Sequence, residues 1–361
     1  MKCRKGQILF LAFLASLIIM TEVKAAEFNF SVAPKTAENQ INKEKTYFDL
    51  LLQPGQEALA TVDLRNDTDK EVIIEAQINS ATTNGNGVVE YSENDLASDE
   101  TLKYKVEDYV EAPEEIVLKA NSVAEYKMKL RMPDKSFDGI IAGGITFKEK
   151  KKGTSATIST RTDGKGLAIK NEYFYVIALL MRQTTANGSP DLKLTSAYPA
   201  QRNARNVIKG VLQNSNATYL NQLAVKTTIT KKDDSKILYT NEQSQMQVAP
   251  NTHFALSVPL NGEHLQAGKY TMNMEAYGEK MEAGSYPFRA TDSQAEENFR
   301  YHWSLEKDFE IKVEEAKKLN SSDVTIKNDY PWLYILIGIL LLLSIILFVI
   351  WQRKQSQKKV D

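Results

Sequence analysis

The chain has 361 residues but only one cysteine, Cys3, and three histidines. Proline and glycine are modest at 10 and 17, and net charge is −1. Each scarcity excludes something. Cys3 precedes the first apolar run, where a lipoprotein cysteine would follow it, so neither a lipid anchor nor a disulfide framework is available. An exported ectodomain without cysteine points to a bacterial surface, of Gram-positive type. The histidines, His253, His264 and His302, are scattered and show no HExxH or other metal spacing. There is no GxSxG elbow. No pair of carboxylates stands out as an acid/base couple, and near-zero net charge gives no electrostatic case for nucleic acid. The chain therefore reads as a binding module, not an enzyme, with no cofactor and no metal.

The two ends are informative. Lys2, Arg4 and Lys5 precede an apolar run of 13 residues, Ile8 to Met20. That length fits a signal-peptide core and is too short to span a bilayer. Small residues at Val23-Lys24-Ala25 predict cleavage after Ala25 or Ala26. Near the other end, residues 331–351 read as a transmembrane helix. Trp332 and Tyr334 sit at one interface and Trp351 at the other, and Arg353 and Lys354 follow immediately. The positive-inside rule puts the tail, 352–361, in the cytoplasm and the rest outside. No LPxTG-type motif precedes the helix, so the expected localisation is a single-pass membrane anchor without covalent wall linkage.

Between the ends, period-2 alternation dominates. Val72, Ile74, Ala76 and Ile78 share one face of a strand, and Tyr126, Met128, Leu130 and Met132 another. Leu223, Val225, Thr227 and Ile229 repeat the pattern, as do Phe254, Leu256, Val258 and Leu260, and Tyr270, Met272, Met274 and Ala276. Turn formers such as Pro54-Gly55, Asn84-Gly85 and Asn261-Gly262 punctuate the runs. This predicts an all-β chain of two immunoglobulin-like sandwiches in tandem. The plan repeats: Arg65-Asn66-Asp67-Thr68 and Lys119-Ala120-Asn121-Ser122 match Gln213-Asn214-Ser215-Asn216 and Ala249-Pro250-Asn251-Thr252. The sequons at Asn66, Asn216 and Asn320 read as polar turns. The first sandwich is placed at 26–185, with Ile140–Phe147 and Tyr173–Met181 pairing as its closing hairpin. The second follows at 186–314, then a charged stalk over 315–330.

The first copy is longer, and its surplus falls between Asn84 and Tyr109. Loops beyond a minimal scaffold carry function, which makes Asn84, Asn86, Tyr91, Tyr104 and Tyr109 candidate ligand-binding residues. The alternative is an extra edge hairpin whose tyrosines pack. In Asp138-Gly139-Ile140-Ile141-Ala142-Gly143-Gly144 the glycines read as a tight turn and close strand packing, not as a phosphate loop.

Tyr47-Phe48-Asp49-Leu50, Gln53-Pro54-Gly55-Gln56, Thr83-Asn84-Gly85-Asn86-Gly87 and Phe137 to Ile145 together resemble the first domain of the WxL-interacting proteins, with its core at 28–147. From about 167, Ile169-Lys170-Asn171-Glu172-Tyr173, Met246 to Thr252, Ala267-Gly268-Lys269-Tyr270 and Glu315 to Asn320 are similar to their second domain. The resemblance implies a surface protein of low-GC Gram-positive bacteria. It implies a first domain that binds peptidoglycan and a second that binds host extracellular-matrix proteins, with WxL-domain surface proteins as partners. It carries over no ligand residues. The expected function is an adaptor joining membrane, wall and WxL partner; the alternative is a membrane-anchored wall-processing or sensing component.

Overall fold

A computed structural model of the chain describes residues 29–150, 173–186, 188–291, 295–326 and 331–357. The leader read over 1–25 and the Lys/Gly-rich stretch 151–172 lie outside the described residues, as does 358–361. The chain divides into two compact units. The first holds everything up to Asp191 together with two short later stretches, 214–220 and 247–253; the second holds the remainder.

The first unit is a sandwich of two sheets. Its strands are β1 (Ser31–Pro34), β2 (Phe48–Leu51), β3 (Glu57–Asn66), β4 (Val72–Ser80), β5 (Thr82–Thr83), β6 (Val89–Glu90), β7 (Val110–Glu111), β8 (Glu115–Leu118), β9 (Ser122–Arg131), β10 (Ile140–Glu149) and β11 (Phe174–Arg182). One sheet runs β1-β3-β9-β7 and the other β2-β11-β10-β4-β8, with β5-β6 a separate small hairpin. Strands β10 and β11 pair antiparallel from Ile140↔Arg182 to Lys148↔Phe174, the hairpin expected from their apolar runs. Strand β2 joins parallel to β11 at the sheet edge.

Alternation works as the sequence implies. Val62 and Leu64 of β3, Tyr126, Met128 and Leu130 of β9, and Ile74 of β4 meet Ile145, Phe147 and Leu179 in one apolar core. The Tyr126 ring packs edge-on against Phe147 at 5.1 Å, and its hydroxyl donates to Pro113 O at 2.6 Å. Burial pushes that phenol up to about 12. Strand β10 departs from alternation, because its first eight residues are buried on both faces. The outward residues Ile140 and Ala142 form a second cluster with Ala81, Leu180 and Ala249, against which Tyr91 and Tyr219 pack.

The second unit is also a sandwich. Strands β12 (Leu192–Arg202), β13 (Arg205–Asn214) and β16 (Thr252–Pro259) make a three-stranded sheet. The five-stranded sheet runs β15-β14-β17-β19-β18, from β14 (Leu220–Lys231), β15 (Ile237–Val248), β17 (Gly268–Lys280), β18 (Tyr286–Phe288) and β19 (Glu297–Ile311). Leu223, Val225, Thr227 and Ile229, Leu256 and Val258, and Met272, Met274 and Ala276 are all buried, on the faces their alternation assigns.

The stretch read as a stalk begins as helix α1 (Val313–Ser322). It is tied down because asparagine and aspartate satisfy groups on both sides of it. The Asn320 amide donates to Leu265 O and its carbonyl accepts from Leu265 N, each at 2.9 Å. Asp323 accepts the Asn206 N–H at 2.6 Å, and Gln201 donates to Leu319 O at 2.9 Å. Ala316 and Ile326 are buried, so 315–326 is part of the packed unit and not a free spacer.

Helix α2 spans Pro331–Gln357. Its side chains are described from Leu336 to Ile350. Among the described residues no helix is long and apolar enough to cross a membrane. Trp332, Tyr334, Trp351, Arg353 and Lys354 fall in the parts of α2 described by backbone alone.

Candidate functional site

The surplus segment of the first unit is bound into the fold by its own side chains. Asn84 builds the β5–β6 turn: its carbonyl accepts the Asn86 and Val88 N–H groups at 2.9 and 3.2 Å, and its amide donates to Glu90 at 2.6 Å. Gly87 at φ +70 completes that turn, and Asn86 is exposed at its tip. Tyr91 leans over Gly144, where an added Cβ would come within 2.6 Å of its own Cβ. Its hydroxyl lies 3.0 Å from that of Tyr219. Burial raises the pKa of both phenols, that of Tyr219 well above 10.0. Val106, fully buried, occupies the space that a Cβ on Gly143 would need. The paired glycines of the IIAGG stretch are therefore there to let the surplus segment lie down on β10.

Tyr104 and Tyr109 behave differently. A 3-10 turn, Val106–Tyr109, follows Tyr104 and ends in Tyr109, and Ser80 fixes it by accepting the Val106 N–H at 2.9 Å and donating to Glu107 at 2.6 Å. The two rings meet edge to face at 5.9 Å, and Tyr104 also packs on Phe137 at 4.8 Å. Each ring rests partly on the main core and turns its remainder to a groove of about 950 Å³. That groove is lined by Tyr104, Asp108 and Tyr109 together with Lys129, Arg131 and Asp134. Arg131 bonds Asp134 at 3.2 Å. Burial raises the Tyr109 phenol above its ordinary value, with Tyr104, Asp108 and Asp134 adding to the effect, so it remains a hydrogen-bond donor in neutral solution.

The structure thus brings two of the five candidates, Tyr104 and Tyr109, onto one concave surface. Asn84 and Tyr91 serve the turn and the packing, and Asn86 stands at the hairpin tip. Lys129 and Arg131 were missed because outward charges on an alternating strand read as an ordinary solvated face. Only the pairing of β7, directly after the 3-10 turn, with β9 brings the tyrosines beside them. His253 bonds Asp99 at 2.7 Å and His302 bonds Glu275 at 2.6 Å. Among the described residues no group of three or more metal-ligating side chains converges.

Flat tyrosine faces beside charged side chains in an open groove suit a polyhydroxylated ligand. Fold and groove together define an all-β protein of two β-sandwich units, the first with an open groove. Two family models agree with that. The WxL Interacting Protein peptidoglycan binding domain matches residues 30–149, and the WxL Interacting Protein host binding domain matches residues 164–321. The chain belongs to the WxL Interacting Protein family, and is a cell-surface binding protein with one domain of each kind. The second family model begins ahead of β11, whereas β11 is a central strand of the first unit's sheet.

A comparison with curated proteins returns no match. Among solved structures, the class 5 fimbriae chaperone CfaA is 12% identical, over 77% of this chain and 99% of that one, with a TM-score of 0.29. The E. coli chaperone DraB is 14% identical over 79% and 97%, with a TM-score of 0.27. A chain from the Salmonella enterica SafA pilin–SafB chaperone complex is 10% identical over 70% and 92%, with a TM-score of 0.29. TM-scores this low transfer nothing to this chain.

Proposed function

We propose that the protein is a non-enzymatic adaptor, held in the cell membrane by α2, that binds the glycan of peptidoglycan in the Tyr104–Tyr109 groove. The observation that carries the wall-binding part is the placement of two tyrosine rings and charged walls on one open groove, inside the region that matches a peptidoglycan binding domain. Sugar rings stack on aromatic faces, and their hydroxyls pair with carboxylate, guanidinium and ammonium groups.

The anchoring part rests on the sequence of α2. Leu, Ile, Val and Phe dominate Trp332 to Ile350, aromatic residues flank that run, and Arg353 and Lys354 follow it. Of its described side chains, Leu336 and Ile337 and all the large apolar ones from Ile339 to Ile350 are exposed. An exposed aliphatic surface of that extent calls for an apolar environment. The orientation is N-terminal part outside and tail inside. WxL-domain surface proteins are the partners at the wall, and extracellular-matrix proteins of the host are the ligands of the second domain.

Three measurements on the full chain test this. Sedimentation with purified peptidoglycan should carry it down. Capture of a purified WxL-domain protein should be saturable. Protease added to wall-stripped protoplasts should remove the ectodomain and spare a C-terminal tag, and loss of that tag in intact protoplasts would reverse the orientation.

A further inference from the structure

The groove does not end at Tyr104. A second hollow of about 570 Å³ adjoins it, and Tyr104 lines both. The ring is held as a ridge between them, packed on Tyr109 in the first hollow and on Phe137 in the second.

The floor of the second hollow is fixed and lies wholly within the first unit. Asn251 donates to Ser215 O at 2.8 Å, Asn216 donates to Ser189 O at 2.9 Å, and the Ile140 N–H donates to Ala217 O at 2.7 Å. Gly139, at φ +121, brings the chain so close to Ala217 that a Cβ would meet it at 2.5 Å. Over this floor the exposed side chains of Glu100, Lys103 and Asp138 form the rim.

We propose that the two hollows are successive subsites for one extended glycan strand, which crosses over the Tyr104 ring. This rests on the glycan reading of the first groove and adds that the ligand is a polysaccharide segment, not a single sugar or a stem peptide. A shared aromatic ridge offers a stacking face to the sugar between the subsites, and carboxylates at the far rim accept its neighbour's hydroxyls. Once the first hollow is filled, occupation of the second is intramolecular, so affinity should grow with strand length.

The test uses the full chain in detergent and peptide-free glycan strands of alternating N-acetylglucosamine and N-acetylmuramic acid, sized to two, four and eight sugars. Calorimetric titration should show affinity rising by about tenfold or more from the shortest to the longest. The Glu100→Gln/Asp138→Asn variant changes only exposed rim groups and should abolish that gain, leaving the two-sugar affinity unchanged. Tyr109→Ala should weaken every length. Equal affinity for all lengths, or a rim variant that keeps the gain, overturns the second subsite and leaves the glycan reading standing. If no length binds, the glycan reading fails and this inference falls with it.

Discussion

Asn66 and Asn214 hold the same place in the two halves of the chain. Each ends a strand with its side chain fully buried. Each donates its amide to the carbonyl four residues on, Lys70 or Thr218, at 2.7 Å in both cases. Each also donates to a distant carbonyl ahead of a second asparagine, Lys119 at 3.0 Å or Ala249 at 3.2 Å. Those second asparagines, Asn121 and Asn251, adopt left-handed backbone at φ 50 and 51. Their N–H groups close the pattern on Thr68 O at 3.0 Å and Asn216 O at 3.1 Å. The repeated Asn motifs are one device used twice, a buried amide that staples two turns at the end of a sandwich.

Removing that amide strands buried carbonyls. Asn66→Ala and Asn214→Ala should each cost about 1–3 kcal/mol, read from urea denaturation of the protein. A variant that unfolds at the parent's midpoint would show that its amide does not staple the turns.

The contact of Tyr91 with Gly144 makes a coupled pair. Gly144→Ala should destabilise by about 1–3 kcal/mol through overpacking, and Tyr91→Ala by about 2–4 kcal/mol through lost packing. A double variant with Tyr91→Gly, which removes the Cβ that alanine would keep 2.6 Å from the added methyl, should cost less than the sum of its two single changes, with Ile177 O at 2.9 Å keeping the relief partial. Neither should weaken wall sedimentation beyond its effect on folding, which places Tyr91 outside the glycan site.

Tyr109→Ala should lower peptidoglycan affinity by roughly thirtyfold, about 2 kcal/mol. Because the ring also rests on the core, melting must be followed in parallel. Arg131→Ala, at an exposed position, supplies a partner variant expected to fold like the parent and bind more weakly. Full wall binding in both would move the site elsewhere on the first unit.

Asp323 gives a pH dependence with a definite sign. Burial alone would raise its carboxyl, but hydrogen bonds from the Thr325 hydroxyl and from the Asn206, Thr325 and Ile326 N–H groups outweigh this and hold it below its ordinary 3.8. A lowered folded value means that its stabilising contribution is present above 3.8 and is lost as pH falls through the lower folded value. Asp323→Asn should therefore flatten the acid limb of the stability curve of the second unit. An unchanged acid limb would show that another carboxylate governs it.

A chain ending at Lys148 lacks β11, the strand that pairs with nine residues of β10, and should fail to melt cooperatively because it exposes a central sheet edge. One ending at Thr185 retains β11 and should be the more stable. Equal behaviour of the two would deny β11 its place in the first sandwich.

The sequence by itself determined the sandwiches, since alternation of period 2 is a local property of the extended chain: Tyr126, Met128 and Leu130 can share a face only in a strand. It also determined the Asn repeat, because a buried amide stapling two turns needs the same residue at the same spacing each time. What it could not decide was the role of each residue in the surplus segment. Tyr91, Tyr104 and Tyr109 are one residue type and differ only in what the fold sets against them. Tyr91 lands on a glycine where no side chain intervenes, and its ring is consumed by packing. The 3-10 turn and β7 carry Tyr104 and Tyr109 to the border of β9, where Lys129 and Arg131 line the same groove. Side-chain fate there depends on contacts between strands far apart in sequence, and only the tertiary structure sets those distances.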